Sequence, residues 1–178
     1  ILEHQKIIKE GLELFEKVYG YKSISFTPPA QELHPELFSY VEKLGVKSID
    51  KPRKMKRHIG NNQFLIEKNK LGIQNTQKHV TIVRNSVFEP NQKEIRGLKI
   101  DDWVEFTFRQ IQAAFRLRKP AIVSSHRVNF SGHIDPCNRN ESLMLLKKLL
   151  AKIVKQYPEV EFMSIDDLVC EILGTSGQ

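Results

Sequence analysis

Lys119-Pro120-Ala121-Ile122-Val123-Ser124-Ser125-His126-Arg127-Val128-Asn129-Phe130 decides how this chain is read. Ala121, Ile122 and Val123 form a short apolar run rich in β-branched residues, opened by a proline that cannot donate within a sheet. Such a run suits a strand covered on both faces, as in a parallel sheet. Ser124, Ser125, His126, Arg127 and Asn129 then crowd its end, and His133, Asp135 and Asn138 follow Gly132. The carboxyl edge of a parallel sheet is where α/β proteins place ligands and chemistry. His126 is therefore the first candidate catalytic residue.

The pattern on either side alternates between helix and strand. Residues 3–19 repeat apolar side chains at three- and four-residue steps, from Ile7 to Tyr19, and Gly20 is a natural end. Ser23 to Thr27 alternates like a strand and stops at Pro28-Pro29. A helix is expected from Pro35 to Gly45, then a strand from Val46 to Ile49. Residues 51–79 read as a long loop or hairpin excursion, turning around Lys68-Asn69-Lys70. Val80 to Val83 is a strand, 91–99 a polar loop, and Asp101 to Leu117 a helix with acids at its start and arginines at its end. Asn138 and Glu141 have capping-box spacing for a helix bearing Leu146, Leu149, Leu150, Ile153, Val154 and Tyr157 on one face. Val160 to Met163 is read as a last strand, and Ser164 with Asp167 caps a last helix ending at Gly174. The alternation specifies a single α/β domain over 1–178 with a mainly parallel sheet. Five strands are too few to close a barrel of eight, so a barrel fragment or an open sheet is expected.

The totals bound the function. The chain has 178 residues, 40% of them hydrophobic and 28% charged, which is ordinary for a soluble globular protein. No apolar run approaches 18 residues, so no membrane span and no membrane partner are expected. No secretory signal opens the chain, which favours the cytoplasm. Ile1 in place of methionine suggests processing or a longer parent. Cys137 and Cys170 make neither a zinc site nor a disulfide framework. The net charge is +7. Its densest part, Lys51 to His58, is either a solvated loop or a contact for an anionic polymer. Without interleaved aromatics it does not favour nucleic acid.

Three strand ends would share one edge: Thr27-Pro28-Pro29, Arg84-Asn85 with Glu89, and Ser125-His126-Arg127 with Asn129. At such an edge His126 can serve as general acid or base, or be tied to neighbouring backbone. Arg84 and Arg127 can bind an anionic group or pair with Glu89 or Asp135. Asn129 can contact a ligand or form a turn. His126, His133 and Asp135 lack the tight spacing of a metal site. No glycine-flanked serine elbow, phosphate loop or dinucleotide fingerprint is present, and Trp103 reads as core.

The residues resemble a family. Ser25-Phe26-Thr27-Pro28-Pro29 with His34-Pro35-Glu36-Leu37, Val83-Arg84-Asn85 with Phe88-Glu89-Pro90, the stretch around His126, and Val160 to Met163 resemble the C-terminal half of polysaccharide deacetylase-like proteins. Those are metal-dependent carbohydrate esterases with a distorted (β/α) barrel. The resemblance implies that His126 is the general acid toward the leaving amine, with Arg84, Asn85, Glu89, Arg127, Asn129 and Pro28 around an N- or O-acetylated saccharide. Thr27 stands where the family has arginine, and Ser124 where it has an apolar residue. The resemblance also implies a divalent metal, zinc or similar. Its aspartate and histidine ligands, and the base aspartate, have no counterpart in this chain. The edge of the earliest strand would then be covered by the missing N-terminal half or by a homodimer partner. A reading from another class is a non-catalytic module that binds an anionic glycan or nucleic acid through residues 51–57.

Overall fold

The computed structural model describes residues 1–73, 79–92, 94–95, 97–133 and 135–175. In chain order the elements are α1 (Leu2–Tyr19), β1 (Ser25–Phe26), α2 (Phe38–Lys43), β2 (Ser48–Asp50), β3 (Lys54–Gly60), β4 (Gln63–Lys68), β5 (Gly72–Ile73) and β6 (Val80–Ile82). There follow β7 (Ser86–Val87), β8 (Glu94–Ile95), β9 (Leu98–Lys99), α3 (Trp103–Arg116), β10 (Val123–Ser124), α4 (Pro136–Gln156) and α5 (Ile165–Leu173). The fold is mixed α/β, with short strands and some parallel pairing. The chain divides into two compact units, one of residues 1–83 and 163–178, the other of residues 84–162.

In the first unit β1, β2 and β6 run parallel, and β5 adds an antiparallel edge. All three residues of β2 and of β6 are buried, as central strands require. Val41, Val46 and Ile49 form the core, joined by Ile8, Leu12, Phe26, Leu33 and Phe38. α1 is amphipathic yet has no fully buried residue. A cavity of about 800 Å³ lies between its apolar side and Phe26, Leu33 and Leu37, which keeps that side partly open. Gly20 ends α1 in the left-handed region at φ 79°.

The excursion after β2 is an antiparallel hairpin of β3 and β4, as the sequence allowed, but it turns at Asn61-Asn62 rather than at Lys68-Asn69-Lys70. Both asparagines have positive φ, 48° and 55°. Two such residues are what a two-residue turn between twisted strands needs, and asparagine tolerates that region. Residues 74–78, at the far end of the expected excursion, lie outside the described residues.

In the second unit β7 pairs in parallel with β10. On its other side, side chains of α3 take the place of a strand. Gln110 Oε1 accepts from Val87 N at 2.7 Å, and the buried Thr107 hydroxyl donates to Val87 O at 2.7 Å. Phe88, Trp103, Phe108, Ile111, Leu149 and Ile153 form the core, and Trp103 Nε1 donates to Gln92 O. Lys152 of α4 pairs with Glu105 of α3 and lies 4.6 Å from the centroid of Phe108.

Several expectations are corrected. The opening strand pairs only through Val123 and Ser124; Ile122 is buried, but Val123 is 43% exposed and so is not covered on both faces. α4 begins earlier than Asn138. Asp135 caps it by accepting from Cys137 N at 2.9 Å, Pro136 occupies the first turn, and Asn138 instead donates to Val128 O. On its expected apolar face Leu149 and Ile153 are buried, whereas Leu150 and Val154 are exposed. Val160 to Met163 is not a strand: no described segment pairs with it, and Phe162 and Met163 are exposed. Part of the 91–99 loop is the small hairpin of β8 and β9. The last helix holds as read, with both halves of its capping box formed between Ser164 and Asp167.

Candidate functional site

The second unit assembles one polar centre from two strand ends. β7 delivers Phe88 and Glu89, and β10 delivers Ser125 and His126, followed by a 3₁₀ turn from Arg127 to Phe130 that carries Asn129. Parallel pairing makes both strands end on the same side, which explains why residues about 37 apart in sequence meet. Ser125 secures the junction by donating its hydroxyl to Phe88 O at 2.7 Å.

Glu89 is the hub. It is 2% exposed, and its carboxylate is met by N–H groups. Oε1 accepts from His126 N at 3.0 Å and lies 2.7 Å from His126 Nδ1; Oε2 accepts from Asn129 Nδ2 at 2.6 Å. A carboxylate meets N–H groups only as an acceptor. Nδ1 of His126 therefore carries the proton on that side. Nε2 has no partner among the described residues, on a side chain that is 68% exposed. The ring is fixed at one nitrogen and accessible at the other, as a proton-transfer group requires.

Asn129 is fully buried. Besides Glu89, its Nδ2 approaches His126 O at 2.9 Å and Ser125 Oγ at 3.3 Å, and its Oδ1 accepts from Asn91 N at 3.3 Å. It ties the turn to the carboxylate, and a ligand would not reach it directly. Asn85 Oδ1 accepts from Ile122 N at 2.8 Å while its Nδ2 donates to Pro120 O at 2.8 Å. It thereby adds side-chain bonds between the two strands upstream of Val123, beside the backbone bonds that Asn85 N and Ser86 N donate to Ile122 O. Arg84 donates from Nη1 to Ser124 Oγ at 3.3 Å, and Arg127 is exposed beside His126.

Pro28 lies in the first unit, where it is buried and precedes a 3₁₀ turn of Pro29–Gln31. Of the three strand ends, two meet within the second unit. The other belongs to the first unit and lies at a polar edge there that the sequence reading missed. There Gln31 donates to the buried Asp50, at the carboxyl end of β2, at 2.8 Å. Ala30 and Gln31 both have positive φ, 52° and 59°, a strained pair for residues with side chains. The available signal was Asp50 itself, an acid directly after an apolar strand.

Comparison with protein-family models, with curated proteins and with solved structures finds no match to this chain. No group of three or more His, Cys, Asp or Glu residues is placed to hold a metal among the described residues. At the polar centre both oxygens of Glu89 are engaged by N–H groups, so the residues there do not fit a metal ion. The group this centre presents outward is the His126 imidazole, on a side chain that is 68% exposed.

Proposed function

We propose that this chain is the C-terminal part of a polysaccharide deacetylase-like hydrolase, built on a distorted (β/α) barrel, acting on N- or O-acetyl groups of a saccharide. One observation carries the reading: the buried Glu89 carboxylate holds Nδ1 of a largely exposed His126 at 2.7 Å. After water adds to the acetyl carbonyl, the bond between the acetyl carbon and the sugar nitrogen or oxygen breaks; acetate leaves, and the sugar atom takes a proton from Nε2 of the His126 imidazolium. Glu89 holds the ring's orientation and offsets the charge of the imidazolium that donates. Arg84 and Arg127 border this position, and Asn129 and Asn85 keep its two strand ends together. Pro28, in the first unit, enters this reading through the resemblance alone. The metal implied by the resemblance would be held by residues outside this chain, and no step is assigned to it.

The test is acetate release from N- and O-acetylated oligosaccharides by protein expressed from its full reading frame. His126→Ala and Glu89→Gln are compared with wild type. Loss of a positioned general acid lowers turnover by about 10²- to 10⁴-fold. Undiminished acetate release by His126→Ala would overturn the reading, as would no release by wild type from any acetylated oligosaccharide.

A further inference from the structure

Residues 51–70 contain seven of the chain's 28 lysines and arginines and one of its 21 acids, so they carry six of its seven net positive charges. Within them, the β3–β4 register sorts side chains onto two faces, because residues directly opposite in an antiparallel pair share a face. Lys54 faces Lys68, Lys56 faces Ile66, and Phe64 lies two residues further toward the turn on the same face as Ile66. All five are exposed, Phe64 by 56% and Ile66 by 58%. The acid of the hairpin, Glu67, lies opposite Met55 on the other face, where both are half-buried.

Two features of this face point to a contact surface. Directly opposed lysines such as Lys54 and Lys68 repel each other, so an anion between them relieves a standing cost. Large apolar side chains held in water beside them are not explained by an anion alone. A polyanion in solution uses the lysines and leaves Phe64 and Ile66 wet. An anionic lipid surface uses both, since apolar side chains enter the headgroup boundary while lysine stems reach the phosphates. We infer that the β3–β4 hairpin is a contact site for an anionic lipid surface, with Lys54, Lys56 and Lys68 on the phosphates and Phe64 and Ile66 in the headgroup layer. The expectation of no membrane partner rested on the lack of a spanning run, and a surface contact needs none.

The experiment is co-sedimentation of the protein with vesicles of phosphatidylcholine alone and of phosphatidylcholine containing about one quarter phosphatidylglycerol. Binding is expected only to the anionic vesicles, weakening as salt rises from about 0.1 M to about 1 M and the screening length shortens from about 10 Å to about 3 Å. Replacing Lys54, Lys56 and Lys68 by Gln should lower affinity about 100-fold. Phe64→Ser with Ile66→Ser should lower it at least about 10-fold. Circular dichroism of both variants checks that the fold survives. No binding to anionic vesicles at low salt overturns the inference, as does equal binding to neutral ones. If the Phe64/Ile66 variant binds vesicles as wild type does, and soluble polyuronate displaces both equally, the face serves an anionic glycan and the lipid assignment fails.

Discussion

Replacing Glu89 by Gln tests the centre where its geometry is tightest. The carboxylate is 2% exposed and is engaged by three N–H groups: His126 N at 3.0 Å, His126 Nδ1 at 2.7 Å and Asn129 Nδ2 at 2.6 Å. A glutamine keeps the shape but has one oxygen and one NH₂. If the oxygen stays toward His126, the NH₂ meets Asn129 Nδ2 donor to donor; if it flips, it meets two donors of His126. Either way at least one hydrogen bond to a charged group is lost, each contributing about 1.5–3 kcal/mol, and a buried donor is left unmatched. The expected destabilisation is about 2–4 kcal/mol, a large part of the stability of an ordinary domain. Urea unfolding of the two proteins measures it. Long-range proton–nitrogen NMR supplies a second readout that packing alone would not move. His126 should carry its proton on Nδ1 in the wild type and lose that preference in Glu89→Ala. A change below about 0.5 kcal/mol for Glu89→Gln, with the Nδ1 proton retained in Glu89→Ala, would refute the claim that Glu89 orients the ring.

Other perturbations follow from single contacts. His79 is buried, and burial, opposed chiefly by Glu42, lowers its pKa below the usual 6.5. The unfolded chain then binds the proton first, so its contribution to stability is present above the unfolded value and lost as pH falls below it. Unfolding curves of wild type and His79→Phe across that window should differ in slope, with the wild type more acid-sensitive. Asn85→Ala removes two bonds to the Pro120–Ile122 backbone and should cost about 2 kcal/mol, measured by the same unfolding assay. Asp102 caps α3 by accepting from Glu105 N at 2.9 Å, so Asp102→Ala should cost about 1 kcal/mol, read from thermal unfolding.

How much of this was legible depends on whether a signal was local or required a neighbour. Helix ends were largely readable because capping chemistry is local: Gly20, Ser164 with Asp167, and Gly174 all act as their spacing suggested. The capping of α4 was misplaced because two polar groups competed for the role. Asp135 precedes a proline already set for helix, and Asn138 found a better acceptor in Val128 O. Strands fared worse. Val160 to Met163 has strand chemistry but pairs with no described segment, and β-propensity measures fit to a sheet rather than backbone preference. Before Val123 the backbone is met in part by a side chain, the amide of Asn85 at Pro120 O and Ile122 N, which no periodicity could announce.

The polar centre was legible for a different reason. Glu89 and His126 were each visible as polar residues beyond an apolar strand, and a shared sheet edge was the expectation that brought them together. The element that does so, β7 at Ser86–Val87 pairing in parallel with β10, was not read, because two residues carry no periodicity. What the pattern could not supply is the division of labour. From sequence, Asn129 and Asn85 look like ligand contacts as much as His126 does. Burial and hydrogen bonds set Asn129 apart, because a fully buried amide with its donors and acceptor engaged has nothing left to offer a ligand; Asn85 is exposed, but its amide is engaged by Ile122 N and Pro120 O. His126 keeps one nitrogen fixed and the other outside. Glu89 contributes indirectly, since its two oxygens are committed to His126 and Asn129, and its effect on any substrate must pass through the imidazole. That ordering makes Glu89 a positioning residue and His126 the group that would touch the reacting atoms. It also predicts that, at the proposed centre, combining Glu89→Gln with His126→Ala lowers acetate release no further than His126→Ala alone, because a positioning residue has no effect once its ring is gone.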